Sequence, residues 1–227
     1  MATSLHQQLK EHYVRDPSRH EVDLDDYRID AIDDDGQLIE IQCASLAAIR
    51  DKIVKLTKRN RVIVVKPLAR KKKLLKKLRR NGKVVSSRYS PSHQTLPYIF
   101  LELVHFTNAF PHPNMQLDIL LTEQEEIRVP AKRKTWRRKH SVQDRALVNI
   151  EQTISVRTPE DLWQQLNLSL EGEFTTTDLA EFGNMPRWLA QKAAWCFRKM
   201  NFIETTGKQG NTIVYQLVKP VQPRQAA

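Results

Sequence analysis

Two short segments with alternating apolar and polar residues lie on either side of a turn sequence near the N-terminus. They are YRIDAID at 27–33 and LIEIQCA at 38–44, and DDGQ separates them. A period of two is typical of a strand, and a glycine such as Gly36 suits the left-handed position of a three-residue hairpin loop. Pairing around Asp35 would place Asp30 opposite Glu40 and Arg28 opposite Gln42.

Strand alternation puts these four polar side chains on one face of the hairpin. The apolar residues occupy the other face, and these are Ile29, Ala31, Ile39, Ile41 and Cys43. Directly opposed carboxylates repel each other. We therefore expect the hairpin to hold a cation between Asp30 and Glu40, the alternative being two solvated acids on a half-exposed hairpin.

The apolar periodicity along residues 1–150 predicts an α/β (α+β) domain with a mixed sheet. A helix at LHQQLKEHYV, a helix at SLAAIRDKIVKLTKR and a helix at LPYIFLELVHFTN alternate with the buried strand RVIVVKP and a strand within MQLDILLTEQEEIRVP. A helix between two strands forms a crossover, so part of the sheet should be parallel. Residues 70–90 fit either a basic helix or a hairpin, and Asn81-Gly82 favours a protruding basic β-hairpin.

Residues 156–219 have a different pattern, in which short helices dominate. Thr158 and Thr175 are suited to cap two helices, PRWLAQKAAWCFRKM predicts a third, and NFIETTGKQGNTIVYQL predicts a hairpin. This order is typical of a winged-helix domain. Residues 220–227 predict a disordered tail.

Charge is distributed unevenly along the 227 residues. The chain carries 37 Lys and Arg against 26 Asp and Glu, yet residues 52–101 contain 16 basic residues and no acid. Residues 1–51 contain 12 acids and five basic residues. An acidic segment beside a basic one suits a site that holds a metal and contacts a polyanion, although a basic run is equally typical of a solvated surface.

The two cysteines, Cys43 and Cys196, lie in apolar patterns and are interpreted as core residues. Their spacing predicts neither a disulfide framework nor a zinc site. The N-terminus lacks a signal-peptide pattern and no segment has about 20 consecutive apolar residues. We expect a soluble, cytoplasmic protein without a membrane partner.

The order of elements and the acidic pattern together resemble the PD-(D/E)XK, or restriction-endonuclease-like, nuclease superfamily over roughly residues 1–130. In that superfamily one strand supplies an Asp and the next supplies Glu-x-Lys. Asp30 matches the Asp, Glu40 the Glu, and Gln42 stands where the Lys usually is. A longer string of segments also resembles a group of uncharacterised bacterial proteins that join this nuclease fold to a winged helix, and these segments are RIDAID, LIEIQ, LTEQEEIR, TPEDL and TTTDLAE.

The resemblance implies magnesium or manganese bound by Asp30, Glu40, the main-chain carbonyl of Ile41 and an acid from the first helix. Glu11 is the first candidate for that acid. Glu21 is the second candidate. Hard divalent cations prefer such oxygen ligands. Gln42 cannot act as a base, but its amide can position a water. His6 is either an ordinary surface residue or an assistant to the site.

Nucleic-acid contacts are expected from three basic regions. The protruding hairpin contributes phosphate contacts through Lys71, Lys72, Lys73, Lys76, Lys77, Arg79, Arg80, Lys83 and Arg88. The segment 132–139 contributes Arg137 and Arg138, with Trp136 either stacked on a base or packed on its own domain. The third helix of the C-terminal domain presents Arg187, Gln191 and Lys192 for groove contacts.

We therefore expect a divalent-metal-dependent DNA endonuclease that hydrolyses phosphodiester bonds, in bacterial defence or DNA processing, with RNA as an alternative substrate. A second hypothesis is a nuclease-derived DNA-binding regulator without catalysis, consistent with Gln42 in the Lys position. A third is a partner subunit of a larger nuclease or defence complex, with Trp188 and Trp195 making the protein contact. A homodimer through the winged helix is a further expectation.

Overall fold

A computed structural model of the protein describes residues 3–131 and 140–218. Arg137 and Arg138, with the rest of the predicted basic loop at 132–139, lie outside the described residues, and so does the predicted tail at 220–227. Among the helices in the described part of the chain, none is both long enough and apolar enough to cross a bilayer.

The N-terminal part contains one large sheet and three helices. Its elements are α1 (Ser4–Tyr13), β1 (His20–Leu24), β2 (Tyr27–Ile32), β3 (Leu38–Ile41), α2 (Arg50–Leu56), β4 (Val62–Lys77), β5 (Val84–Tyr89), α3 (Phe100–Leu103), β6 (Met115–Pro130) and β7 (His140–Val156). The chain therefore has the mixed α/β class that the periodicity predicts.

The sheet has seven strands in the order β1-β2-β3-β4-β6-β7, with β5 paired to the extended end of β4. The strand pairs β1–β2, β2–β3, β4–β5 and β6–β7 are antiparallel, while β3–β4 and β4–β6 are parallel. The predicted crossover is confirmed, because α2 connects β3 to the parallel strand β4. The basic segment forms the β4–β5 hairpin rather than a helix.

Both faces of the central strands are buried. On one face α1 packs through Leu5 and Leu9 against Ile39, Ile41 and Val65. On the other face, residues from α2, α3 and the C-terminal part cover the remaining side chains of β3, β4 and β6. The prediction of one apolar hairpin face is wrong. Strand β3 is buried on both sides, and Ile29 packs on the face covered by α2 and α3 instead of the face covered by α1.

Several predicted elements differ in length from those in the structure. The predicted helix 45–59 is a 3-10 turn, capped by the Ser45 hydroxyl, followed by the seven-residue α2. The predicted helix from Leu96 is another 3-10 turn followed by the four-residue α3. Strand β7, with 17 residues, was not predicted at all, since its side chains are mostly half-buried or exposed and lack a clear alternation.

The C-terminal part contains three helices and a three-stranded sheet in the order β8-β10-β9. Its elements are α4 (Pro159–Gln165), β8 (Phe174–Thr175), α5 (Thr176–Phe182), α6 (Arg187–Lys199), β9 (Ile203–Gln209) and β10 (Thr212–Leu217). The predicted caps are confirmed, since Thr158 and Thr175 each form a reciprocal capping box with the Asp three residues later.

One continuous apolar core joins the two parts. Phe197 of α6 lies with its ring centroid 5.3 Å from that of Phe100 of α3, and 5.1 Å from that of Trp163 of α4. All three side chains belong to the cluster that also covers the large sheet. The C-terminal part is therefore anchored on α3, and the two parts should unfold together.

Replacement of Phe197 by Ala should destabilise the whole chain. Because Phe197 is fully buried between the two parts, we expect a loss of about 3–5 kcal/mol in the free energy of unfolding. Phe182→Ala is the matched control, because Phe182 is 51% exposed and its loss should cost less than about 0.5 kcal/mol. Urea unfolding monitored by circular dichroism measures both, and two separate transitions would contradict a shared core.

Candidate functional site

The site lies where β2 and β3 separate. The loop between them has the predicted form, with Gly36 at φ +75° and the Asp33 amide donating to the Gln37 carbonyl at 3.1 Å. The paired residues are Ala31 with Ile39 and Ile32 with Leu38, which is the predicted register. The next pair in this register would be Asp30 with Glu40, but the ladder stops before it.

Asp30 terminates the ladder with its own side chain. Its Oδ2 atom accepts the Ile41 amide at 2.8 Å and lies 3.2 Å from Nε2 of His6 on α1. Burial alone would raise the pKa of Asp30, but the hydrogen bonds to His6 and Ile41 outweigh it and hold the pKa below its ordinary value. Asp30 is therefore an ionised carboxylate fixed between α1 and β3.

Glu40 points toward α2 and is almost fully buried. Its Oε1 atom lies 2.5 Å from Nζ of Lys52, which also donates to the Arg28 carbonyl at 2.6 Å. Burial raises the pKa of Glu40 to about 7, against a smaller lowering by Lys52. The two acids therefore differ, since Asp30 carries a full charge and Glu40 exchanges its proton near neutral pH.

The structure does not bring Glu11 to these two acids. Glu11 is exposed on α1 and its carboxylate accepts the side-chain amide of Gln7 at 2.9 Å, one helical turn away on the same surface. The second candidate, Glu21, forms ion pairs with Lys10 and with Arg28, and the negative charge of Asp30 acts on its pKa. Glu21 is thus the nearer acid.

Gln42 stabilises the chain reversal after β3. Its side-chain Oε1 atom accepts a hydrogen bond from the main-chain N–H of Ala44 at 2.9 Å. The main-chain N–H of Gln42 donates to the Val65 carbonyl of β4. The predicted opposition of Gln42 and Arg28 is absent from the described pairs, because β2 and β3 have already separated there. The amide group of Gln42 remains at the end of β3, half-buried.

Sequence reasoning missed Lys52 as a site residue. In the predicted helix Lys52 is adjacent to Ile53 and appears only as part of the basic run. The available signal was its position at the edge of the stripe formed by Ile49, Ile53 and Leu56, which points a long side chain toward the sheet. His6 lies beside Asp30 with its side chain 17% exposed, so it is not isolated on the surface.

The carboxylate oxygens at the site are of the ligand type that magnesium prefers, but the described side chains do not surround a metal ion by themselves. Among the described residues, no group of three or more His, Cys, Asp or Glu side chains has an arrangement that could hold a metal ion. Magnesium is commonly bound by one or two carboxylates together with water and substrate phosphates. Asp30 and Glu40 supply that number of carboxylates.

The predicted basic hairpin divides into two regions. Near its base, Arg70 and Lys71 pair with Glu151 of β7, Lys72 with Glu126 and Lys73 with Glu125 of β6. These cations are partly neutralised within the sheet. The cations nearer the tip are mostly exposed, and they are Lys76, Lys77, Arg79, Arg80, Lys83 and Arg88, which we call the arm tip.

The outward surface of α6 has the predicted composition. Arg187 and Gln191 are exposed and Lys192 is half-buried. Arg187 and Gln191 line a cavity of about 330 Å³ between α6 and β10. Of the two tryptophans, Trp188 contacts Tyr98 edge-on with ring centroids 6.3 Å apart, whereas Trp195 lies under the ammonium group of Lys199.

Comparison with known proteins identifies the large sheet as a family domain. The family described as a domain of unknown function, DUF8091, matches residues 3–157, which run from α1 to the end of β7. The chain belongs to the DUF8091 family. Asp30, Glu40 and Lys52 all lie inside the DUF8091 match, while α6 lies outside it.

A relative resembles the chain along nearly all of its length. An uncharacterized protein of Treponema pallidum (strain Nichols) is 27% identical over 225 residues, which cover 96% of this chain and 86% of that protein. No solved structure matches the chain. The resemblance to the Treponema protein therefore extends beyond the DUF8091 domain into the C-terminal part.

Glu40 should make folding less favourable as the pH rises. The pKa of Glu40 is raised in the folded protein. Its contribution to the free energy of unfolding is therefore fully present below the unfolded pKa of 4.5 and is lost as the pH rises through about 7. The loss is at most about 3 kcal/mol. Urea unfolding of the native protein and of Glu40→Gln from pH 4 to 8 measures the free energy of unfolding of each. A difference between the two proteins that stays constant with pH would contradict the prediction.

Proposed function

We propose that this protein is a divalent-metal-dependent nuclease that cleaves the phosphodiester backbone of DNA. The proposal rests on one observation above all, which is that a part-buried Asp30 and a buried Glu40 lie on neighbouring strands where these separate, close enough for the charge of Asp30 to act on the pKa of Glu40. Lys52 contacts Glu40 there. The positions of Asp30 and Glu40 on consecutive antiparallel strands, followed by a helix and a parallel strand, support the nuclease-like core that the sequence suggests.

In this proposal Asp30 and Glu40 hold magnesium or manganese through carboxylate oxygens. The cation, when bound, would neutralise charge on a phosphate and make a coordinated water more acidic. His6 and the Ile41 amide keep Asp30 ionised and oriented for this task. Glu40 gives up its proton on binding, because its pKa lies near 7 and a nearby positive charge favours the ionised form.

Lys52 takes the role of the lysine that the PD-(D/E)XK superfamily usually has at the position of Gln42. Its ammonium group already contacts Glu40, so it can reorient toward a phosphate oxygen or an attacking water when Glu40 engages a cation. Gln42 contributes only its side-chain NH2 group as a donor, since its oxygen is bonded to Ala44. Gln42 therefore orients water but accepts no proton.

The arm tip and the outward surface of α6 would bind the nucleic acid. The arm tip is rich in exposed Lys and Arg, and within residues 3–131 and 140–218 its cations have no ion pair like those at the base of the hairpin, which suits phosphate contacts. The helix and strand order of the C-terminal part supports a winged-helix domain, in which α6 would enter a groove with Arg187 near its start.

A second candidate function is a DNA-binding regulator without catalysis. It is favoured by Gln42, because an amide cannot act as a base at the position where the resembled nuclease superfamily has a Lys. Partnership in a larger complex is a third candidate, because Trp188 is 47% exposed although one edge packs on Tyr98. Trp195, 36% exposed, remains available for such a contact.

Cleavage of plasmid and linear DNA, with RNA as a parallel substrate, tests the proposed activity. We expect metal-dependent cutting that falls by about 100-fold or more in Asp30→Asn, Glu40→Gln and Lys52→Met, because each removes a group that acts on the reacting phosphate or water. Asp34→Asn is the matched control, since Asp34 lies on the exposed hairpin loop and should retain full activity.

DNA binding measured without metal distinguishes the two functions. Tight binding by the native protein with no cutting in magnesium or manganese would support the regulator and contradict the nuclease. Equal cutting by Asp30→Asn and the native protein would show that the carboxylate pair is not the site.

The arm tip should dominate the salt dependence of binding. Replacement of Lys76, Arg79 and Arg80 by Gln removes three exposed cations, so the slope of log affinity against log salt should fall by about 2–3 for duplex DNA. Arg70→Gln is the control, because Arg70 is paired with Glu151 and should change the slope by less than about 1. Fluorescence anisotropy across a salt series measures both slopes, and equal effects per residue would contradict this division.

A further inference from the structure

A small cavity opens on the edge of β4, between the end of β3 and the start of β5. On this edge β4 pairs with β3 as far as Val65 and with β5 from Lys73 onward. The cavity has a volume of about 240 Å³ and is lined in part by residues 66–69 of the intervening stretch. It lies at the carboxyl end of the parallel strand β3, the position at which α/β sheets commonly bind ligands.

Three cations line this cavity together with one carboxylate. Lys66, whose side chain is only 5% exposed, pairs with Glu102 at 3.0 Å. Lys72 and Arg145 also line it, and both approach Glu126, which is not a lining residue, at 3.8 Å and 3.0 Å. The cations thus come from β4 and β7, which hold them around a common space.

Positive charge exceeds negative charge at this cavity. Three cations and one carboxylate line the cavity, which leaves an excess of two positive charges in the lining. Glu126, outside the lining, is shared by Lys72 and Arg145 and is also bonded to Arg128 at 2.6 Å, so it does not cancel this excess. Burial lowers the pKa of both lysines, and repulsion from Arg145 lowers each further. A half-buried excess of two positive charges is costly unless an anion offsets it.

The cavity adjoins Asp30. Leu5 lines it, and the next residue of α1, His6, contacts Asp30. Cys43 also lines it, and the charge of Asp30 acts on the Cys43 thiol. A group seated in the cavity would therefore lie beside the site of the proposed reaction.

We propose that this cavity binds a phosphate monoester, and that the monoester is the terminal phosphate of a nucleic-acid strand. A terminal phosphate carries close to two negative charges at neutral pH, which matches the excess of cations, whereas an internal phosphodiester carries one. The guanidinium group of Arg145 suits two parallel hydrogen bonds to phosphate oxygens. This inference rests on the proposed nuclease function, because it assigns the substrate end that enters the same site.

Binding of labelled single-stranded oligonucleotides to metal-free, full-length Asp30→Asn protein tests the assignment without any need for cutting. One oligonucleotide carries a 5′-phosphate, another a 3′-phosphate, and a third has hydroxyl groups at both ends. We expect one phosphorylated end to bind at least about 10-fold more tightly than the hydroxyl ends, since a desolvated charge pair is worth more than 1.4 kcal/mol. Equal affinity for all three would overturn the proposal.

Variants locate the preference in the cavity. Arg145→Gln and Lys72→Gln should each abolish the preference for the phosphorylated end, while Arg70→Gln, which alters a paired cation outside the cavity, should keep it. Thermal melting checks that each variant is folded, and two variants are used so that one unfolded protein does not decide the outcome. A preference that persists in both folded variants would contradict the assignment.

Competition distinguishes the source of the phosphate. If inorganic phosphate or a mononucleotide displaces the strand at a concentration equal to that of the phosphorylated oligonucleotide, the ligand is a small molecule and the strand-end proposal is wrong. The nuclease function is judged separately. An end preference without cutting refutes the nuclease alone, and cutting without an end preference refutes only this inference.

Discussion

A single hydrogen bond, from the Ile41 amide to the Asp30 carboxylate, determines the form of the whole candidate site. The Gln42 amide donates to β4, so alternation along β3 turns the Ile41 amide toward β2. There it meets a side chain instead of a main-chain carbonyl. Pairing ends, the two strands diverge, and Asp30 and Glu40 are held at the divergence rather than side by side on a flat hairpin.

Burial then differentiates the two acids. Asp30 receives two hydrogen bonds and stays ionised, while burial raises the pKa of Glu40 to about 7 despite the neighbouring Lys52. An environment that separates the proton affinities of two neighbouring carboxyls is common at catalytic sites. Lys52 acts on both acids, because its ammonium group contacts Glu40 and its positive charge also lowers the pKa of Asp30.

The sequence was most informative where local chemistry determines structure. The hairpin register around Asp35, the parallel crossover and the capping boxes at Thr158 and Thr175 all follow from short-range patterns, and all are confirmed. Tertiary packing decided the rest. Strand β7 lacks a periodic pattern because it is stabilised by pairing along β6, and the direction of Glu11 depends on how α1 turns on the sheet. Lys52 was hidden in a run of similar charges.

The shared core has a geometric consequence for any long ligand. Since α6 is packed through Phe197 onto α3, the spacing between its outward surface and the carboxylate pair is built into the folded chain. In the proposed function this fixed spacing would set the interval along a bound polymer between the α6 contact and the carboxylate pair. A polymer shorter than that interval could engage only one of the two surfaces.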